Sequence, residues 1–153
     1  SSVLSRQPPD SLDLIIMTRE VGDEIGTLLR REPTVWVTAA DHAIHLQTPV
    51  PLAMFEAPCF CRRHACHALD RAGKTYRVAY SSPSLATLQA VVGAGLAVSA
   101  WMHSLVTPDM LILGRQEGYP ALPEASIVLQ RTSQTQSPII DSLAEHIAEG
   151  FRL

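Results

Sequence analysis

The sequence lacks the features that mark several common classes of protein. Its 12 Lys and Arg residues are outnumbered by 15 Asp and Glu residues, which leaves a net charge of −3. There is thus no basic excess with which this chain itself would bind a nucleic-acid backbone. No apolar run approaches the ~20 residues that span a bilayer. The amino end SSVLSRQPPD lacks the basic stretch followed by an apolar stretch that is typical of a signal peptide. We therefore expect a cytoplasmic chain with no membrane partner.

Cysteine is scarce and clustered. The chain has three cysteines, and all of them lie within CFCRRHACH, residues 59–67, together with two histidines. An odd, clustered set is unlike the disulfide framework of a secreted protein. With 153 residues, 46% of them hydrophobic and 18% charged, the chain is long and apolar enough for a folded domain with a sizeable core.

Apolar runs rich in β-branched residues alternate with helical patterns along the chain. The runs at 12–17, 34–39, 76–82 and 95–101 predict strands that are buried on both faces. A helix is predicted between the last two runs, so that strand, helix and strand form a βαβ crossover. A further helix is predicted over 137–151. This alternation predicts an α/β fold with a mainly parallel sheet.

The cysteine segment begins with APCF (57–60), predicted as a short strand that leads into a helix of about ten residues ending near Gly73. On a helical wheel the cysteine and histidine side chains diverge around this helix and do not converge on one ion, so we predict no metal site. Two interpretations remain open. The cysteines are small apolar residues that pack a strand-to-helix junction, or Cys59 or Cys61 is a nucleophile whose pKa is lowered at the helix start. The predicted buried stripe comprises Cys61, Ala65, Ala68, Leu69 and Ala72.

Two helix starts carry residues that suit negative charge. Arg62 and Arg63 lie in the first turn of the cysteine helix, where the helix dipole disfavours cations unless something negative is nearby. Ser81, Ser82 and Ser84 place hydroxyl groups around the unpaired N–H groups of the next helix start. These serines are either caps alone or caps that also contact a ligand.

The segment YRVAYSSPSLATLQAVVGAGLAVSAW, preceded by EPTVWVTAADHAIH and by LDLIIMTRE, resembles the effector-binding domain of LysR-type transcriptional regulators. PLAMFEAPCFCRRHACHALDRAG resembles the family's next unit, in which a proline-leucine stretch leads to a short strand and a helix ending in AG. ASIVLQR and the last helix resemble the closing strand and terminal helix. The resemblance covers nearly the whole chain, and the order and spacing of its motifs are more specific than any one of them.

The resemblance implies a fold like that of the type 2 periplasmic binding proteins, with a mainly parallel sheet flanked by helices in each of two subdomains and an effector in the cleft between them. Residues 1–32 then form the remaining part of the first subdomain. Residues 33–120 form a complete second subdomain with a crossover strand, and 121–153 form the return strand and terminal helix of the first. The winged helix-turn-helix and the opening part of the first subdomain are absent, so we expect a fragment.

The resemblance also implies a function. We expect a non-enzymatic sensor domain of a bacterial regulator, without a cofactor, that binds a small anionic metabolite as effector. It implies self-association, as a dimer here and a tetramer in the full-length protein, and contact with DNA only through the missing N-terminal domain. The alternatives are a solute-binding protein of a transporter and a thiol-dependent enzyme, and redox sensing by the cysteines is a variant of the regulator. The candidate effector-binding residues are Thr18, Cys59, Phe60, Ser82, Ser84 and Trp101.

Overall fold

The computed structural model describes residues 12–23, 25–132 and 137–151. Contacts within the chain divide it into two compact units, residues 33–123 and residues 1–32 with 124–153. Residues 1–11 of the expected first subdomain lie outside the described residues. The assignment of 1–32, 33–120 and 121–153 to regulator subdomains stays a prediction.

The described residues form eight strands and three α-helices, joined by turns and three short 3₁₀ helices. In chain order they are β1 (Leu14–Glu20), β2 (Thr27–Glu32), β3 (Thr34–Ala39), β4 (Val50–Met54), α1 (Phe60–Arg71), β5 (Tyr76–Ser81), α2 (Leu85–Gly93), β6 (Ser99–Met102), β7 (Met110–Leu113), β8 (Ala125–Arg131) and α3 (Pro138–Gly150).

The unit that contains the two chain ends has β8 as the central strand of a three-stranded sheet. Both β1 and β2 pair antiparallel with it, and Glu20 and Glu32 both lie opposite Ala125. The first five residues of β8 are buried, as expected for a strand with a neighbour on each side. α3 follows β8, and the guanidinium of Arg30 lies 5.4 Å from the ring centre of Phe151, just after that helix.

The unit of residues 33–123 contains the other five strands. β4 and β5 are parallel, and a parallel bridge between Leu52 and Val98 joins β4 to the start of β6. β3 lies between β6 and β7 and is antiparallel to both. Strands β4 to β7 therefore run in one direction and β3 opposes them.

The sheets are thus mixed, which corrects the prediction of a mainly parallel sheet. Buried apolar runs show that a strand has neighbours on both faces, but they carry no information about strand direction. The described strands of the other unit are all paired antiparallel. The predicted crossover of β5, α2 and β6 is present, with β4 lying between its two strands.

The strand predicted at APCF is wrong. The strand before α1 is Val50–Met54, all five residues of which are buried, whereas residues 57 and 58 form a turn and Phe60 already begins α1. The parallel ladder ends where Met54 pairs with Ser81, so residues 57–59 have no strand beside them. A short apolar run in the sequence does not by itself show whether that segment will pair with another strand.

The two helices of this unit pack on opposite faces of the sheet. Ala65 and Leu69 of α1 share a core cluster with Leu52, whereas Leu88 of α2 shares another with Ala53. Adjacent strand residues point to opposite faces, so α1 and α2 cover different faces. Of the predicted α1 stripe, only Ala65 and Leu69 are fully buried; Cys61 and Ala68 are half-buried and Ala72 is exposed.

Candidate functional site

Two helices begin at one edge of the unit formed by residues 33–123. Because β4 and β5 are parallel and pair Met54 with Ser81 at their ends, both strands finish at the same edge of the sheet. α1 follows β4 and α2 follows β5, so both helix starts, with their unpaired N–H groups, belong to this edge. The strand-end site is defined here by Phe55, Cys59, Phe60, Arg62, Ser81, Ser82 and Ser84.

Arg62 connects the first turn of α1 to the end of β5. Its Nη1 donates to the carbonyl oxygen of Phe55 and to the Oγ of Ser81, both at 3.1 Å. These bonds use two of the five N–H donors of a guanidinium. Arg62 was not among the candidate residues, although a cation in the first turn of a helix was a signal for it. Both of these partners are uncharged, so neither of them neutralises the positive charge that Arg62 places at this edge of the sheet.

The serines hold the start of α2. The N–H of Ser82 donates to Met54 O at 3.2 Å, and its Oγ accepts from the N–H of Ser84 at 3.1 Å. Ser84 is the N-cap of α2, with its Oγ accepting from the N–H of Thr87 at 3.3 Å. A hydroxyl group has one donor and two acceptor positions. Capping uses an acceptor position, so the O–H of each serine remains chemically suited to donate to a ligand oxygen.

Cys59 precedes α1 and is its N-cap residue. A hydrogen bond from the Cys61 thiol lowers the pKa of Cys59 to about 6, with the backbone N–H groups of Arg62 and Cys61 acting in the same direction and burial opposing them. These hydrogen bonds favour the thiolate form of Cys59, whose negative charge lies beside Arg62 in the sequence of the first turn. Phe60, the next residue, is half-buried, and its ring meets the His64 ring edge-on at 5.7 Å.

The remaining two candidates lie elsewhere. Thr18 is a half-buried residue of β1, opposite Ile127 in the unit that contains the chain ends. Trp101 lies in β6 opposite Val35, is 2% exposed and packs in the same core cluster as Leu88. Trp101 is thus a core residue of its unit. A ligand contact for any of the six candidates stays a prediction.

The part of the chain that the structure describes contains no group of three or more His, Cys, Asp or Glu side chains arranged to hold a metal ion. None of the three cysteines forms a disulfide. Within the same described ranges, no helix combines the length and the apolar character needed to cross a membrane.

Comparison with known protein families and sequences gives one consistent match. The LysR substrate binding domain family matches residues 6–152. The chain is 29% identical over 141 residues to the HTH-type transcriptional regulator PecT of Dickeya dadantii, covering 92% of this chain and 45% of that protein. It is 36% identical over 137 residues to the HTH-type transcriptional regulator DgdR of Burkholderia cepacia, covering 90% and 47%. The chain therefore spans about half the length of these relatives.

Solved structures with a similar fold include two ligand complexes. The regulatory domain of Synechocystis PCC6803 CcmR in complex with 2-PG gives a TM-score of 0.68 at 16% identity, covering 98% of this chain and 78% of that one. The effector-binding domain of QuiR in complex with shikimate gives 0.67 at 14% identity, covering 99% and 77%. At these identities the likeness establishes the fold alone.

Proposed function

Because this chain belongs to the LysR substrate binding domain family, we propose that it is the effector-sensing part of a bacterial LysR-type transcriptional regulator that acts in the cytoplasm. The proposal is supported by two HTH-type transcriptional regulators that align with at least 90% of the chain. DNA binding then belongs to the part of such a regulator that this chain does not span. An effector changes the output of the regulator only by binding one of its conformations more tightly than another.

The effector contacts the strand-end site, and the observation that carries this assignment is the bridge from Arg62 to Phe55 and Ser81. It holds a guanidinium at the edge where two helices begin. Helix N-termini, a guanidinium and hydroxyl donors favour the oxygens of a negatively charged group. The proposed effector is therefore a small molecule that carries a carboxylate or another anionic group. The CcmR and QuiR complexes with 2-PG and shikimate support a small-molecule ligand for this fold.

The two helix starts are not equivalent, because the hydrogen bonds at the start of α1 lower the pKa of Cys59 and favour a negative charge there. A second anion at that point would be repelled by the thiolate. The start of α2 has no such group, and Ser82 and Ser84 lie there with their hydroxyls. We therefore place the anionic group of the effector at the start of α2, and the less polar part of the effector near Phe60.

Replacement of both serines by alanine in the full-length regulator tests this assignment. We expect the double variant Ser82→Ala/Ser84→Ala to bind a carboxylate effector about 1 to 3 kcal/mol more weakly in calorimetry, because the ligand loses hydrogen bonds in a desolvated site. The free energy of unfolding should fall by up to about 1 kcal/mol for each lost cap. A matched control is Ser137→Ala, because Ser137 precedes α3 and makes no side-chain capping bond.

The outcomes separate two roles for the serines. Weaker ligand binding in the double variant, with unchanged binding in the control, supports the strand-end site. Equal ligand affinity with a lowered melting temperature would show that the serines are caps and nothing more.

Self-association is proposed on a different observation. α3 exposes large apolar side chains, with Ile139 80% and Leu143 48% exposed, and such exposed patches are typical of protein interfaces. We expect a weak dimer of this chain and a tetramer of the full-length protein. Sedimentation should show concentration-dependent association that decreases in an Ile139→Glu variant. A chain that stays monomeric at high micromolar concentration would remove the proposal.

A second candidate function is thiol sensing at Cys59. It is favoured by the lowered pKa of this thiol, because a thiolate reacts with electrophiles and oxidants faster than a thiol does. The reaction of Cys59 with an alkylating agent at different pH values tests it directly.

A further inference from the structure

The unit of residues 33–123 also contains a pocket that shares none of its lining residues with the strand-end site. Its volume is about 460 Å³, within the range of small-molecule sites. One wall is the outer side of α1, with His64, His67 and Arg71. The other wall is the segment after β7, with Arg115, Pro120 and Ala121. We call it the α1–loop pocket.

Arg71, which lines this pocket, and Arg62 of the strand-end site lie on opposite sides of α1. Each residue of an α-helix is rotated by about 100° from the one before it. His64, His67 and Arg71 consequently fall on one face, within about 60° of one another. Arg62 precedes Arg71 by nine residues and so points about 180° away, where it contacts Phe55 and Ser81. A ligand held by Arg71 therefore does not contact Arg62, although Phe60 of the strand-end site packs edge-on against His64 of the pocket lining.

The wall opposite α1 is held in place by two buried aromatic side chains. The Nε1 of Trp36 donates to the carbonyl oxygen of Pro120 at 2.8 Å. Tyr119 is buried, and its hydroxyl group donates to the carbonyl oxygen of His45 at 2.8 Å. The two rings pack together with centres 5.6 Å apart. Because both bonds anchor the backbone beside Pro120, the pocket is preformed and a ligand need not order this wall.

The charge of the pocket is unusual for this chain. Although the whole chain has a net charge of −3, none of the nine described lining residues is acidic, and two are arginines and two histidines. The acidic residues nearest to the two arginines in sequence are Asp70 and Glu117, neither of which lines the pocket. Burial and, after it, the interaction with Asp70 raise the pKa of Tyr76, and the Oε2 of Glu117 accepts from the backbone N–H of Gly114 at 2.7 Å.

We propose that the α1–loop pocket binds a small anion with at least two negative charges, at a site separate from the strand-end site. Arg71 and Arg115 come from different elements and both line this cavity. A guanidinium pairs with carboxylate or phosphate oxygens through two parallel N–H bonds, so each arginine binds one anionic group of the ligand. Phosphate esters and polycarboxylates share this chemistry.

Calorimetric titration of the full-length protein with inorganic pyrophosphate and with citrate, at constant ionic strength, tests the proposal. We expect saturable binding that becomes roughly tenfold weaker in Arg71→Gln and in Arg115→Gln, because each variant loses a charged hydrogen-bond partner. Arg77→Gln is the matched control, since it removes the same charge from an exposed residue of β5 outside the pocket. Melting curves of each variant show whether it is folded.

The two probes distinguish the kind of anion, since tighter binding of pyrophosphate indicates a phosphate-bearing ligand and tighter binding of citrate a polycarboxylate. Because the strand-end site also suits an anionic group, the double variant Ser82→Ala/Ser84→Ala should keep the binding step that Arg71→Gln and Arg115→Gln weaken, whether or not a second step at the start of α2 is lost. Three results would overturn the proposal: no saturable binding of either probe, equal weakening in Arg71→Gln, Arg115→Gln and the Arg77 control, or loss of that binding step in the double serine variant.

Discussion

Arg62→Ala is expected to destabilise the unit of residues 33–123, because the Arg62 side chain ties the first turn of α1 to Phe55 after β4 and to Ser81 at the end of β5. Its Nη1 makes one bond to Phe55 O, which is partly buried, and one to Ser81 Oγ, which is exposed. Hydrogen bonds from charged donors contribute about 1.5–3 kcal/mol when buried, and less where water replaces the partner. We therefore expect a loss of about 2 kcal/mol in the free energy of unfolding.

The loss can be measured by urea unfolding and by a thermal melt. For a chain of this length, about 2 kcal/mol corresponds to a fall of roughly 4–8 °C in melting temperature. Arg77→Ala is the control, because it removes the same charge from an exposed position of β5, where substitutions usually change stability by less than about 0.5 kcal/mol. A double-mutant cycle with Ser81→Ala should give a coupling of about 0.5–1 kcal/mol.

The reasoning would be refuted if Arg62→Ala melted within about 1 °C of the Arg77→Ala control. That result would mean that water replaces both bonds at no cost. It would also remove the structural reason for placing a guanidinium at the strand-end site.

Four further predictions each rest on one feature of the chain. The rate of alkylation of Cys59 by iodoacetamide, followed by mass spectrometry, should be half-maximal near pH 6, where its lowered pKa lies; a midpoint near pH 9 would contradict the hydrogen bonding at the start of α1. The pKa of Cys59 is about 6 in the folded chain and 9.0 for an unperturbed cysteine. The stability that the Cys59 thiolate contributes should therefore increase as the pH rises from 6 to 9, and it should be lost as the pH falls through 6. The difference in unfolding free energy between wild type and Cys59→Ala, measured over that pH range, should increase in the same way. Leu69→Ala should cost about 2–5 kcal/mol in urea unfolding, since Leu69 is fully buried, and a change below about 1 kcal/mol would show that α1 does not pack on β4 as described. This chain alone should not retard a promoter fragment at physiological salt, because its net charge is −3; specific retardation in a gel would disprove this.

The sequence by itself determined the class of the fold, the family and the helices. The α/β class and the resemblance to LysR effector-binding domains are confirmed by the family match and by the structures of similar fold. The helices lie close to their predicted positions because their ends depend on signals within a few residues. Ser84 caps the start of α2, and Gly73 and Gly95 follow the ends of α1 and α2 with φ of 68° and 75°, a conformation that glycine adopts without strain.

Strand pairing was decided by the tertiary structure. The sequence placed buried strands at 34–39 and 76–82; β3 is largely buried, whereas β5 forms as a strand with three of its six residues exposed and none fully buried. It did not reveal that β3 opposes its neighbours, nor that the strand before α1 ends at Met54. Direction and pairing depend on which distant segment lies alongside, and alternation within one segment reports only burial.

The strand-end site likewise combines residues that local sequence signals reveal with contacts that only the folded chain forms. Ser82, Ser84 and Cys59 could be proposed as site residues because helix starts have local signatures. Arg62 reaches Ser81 across 19 residues of sequence, Trp36 fixes Pro120 across 84, and Trp101 belongs to the core of its unit. Such contacts exist only once the sheet has formed. The sequence therefore shows which residues suit an anion, whereas the folded chain decides which of them lie at the strand-end site and which line the α1–loop pocket.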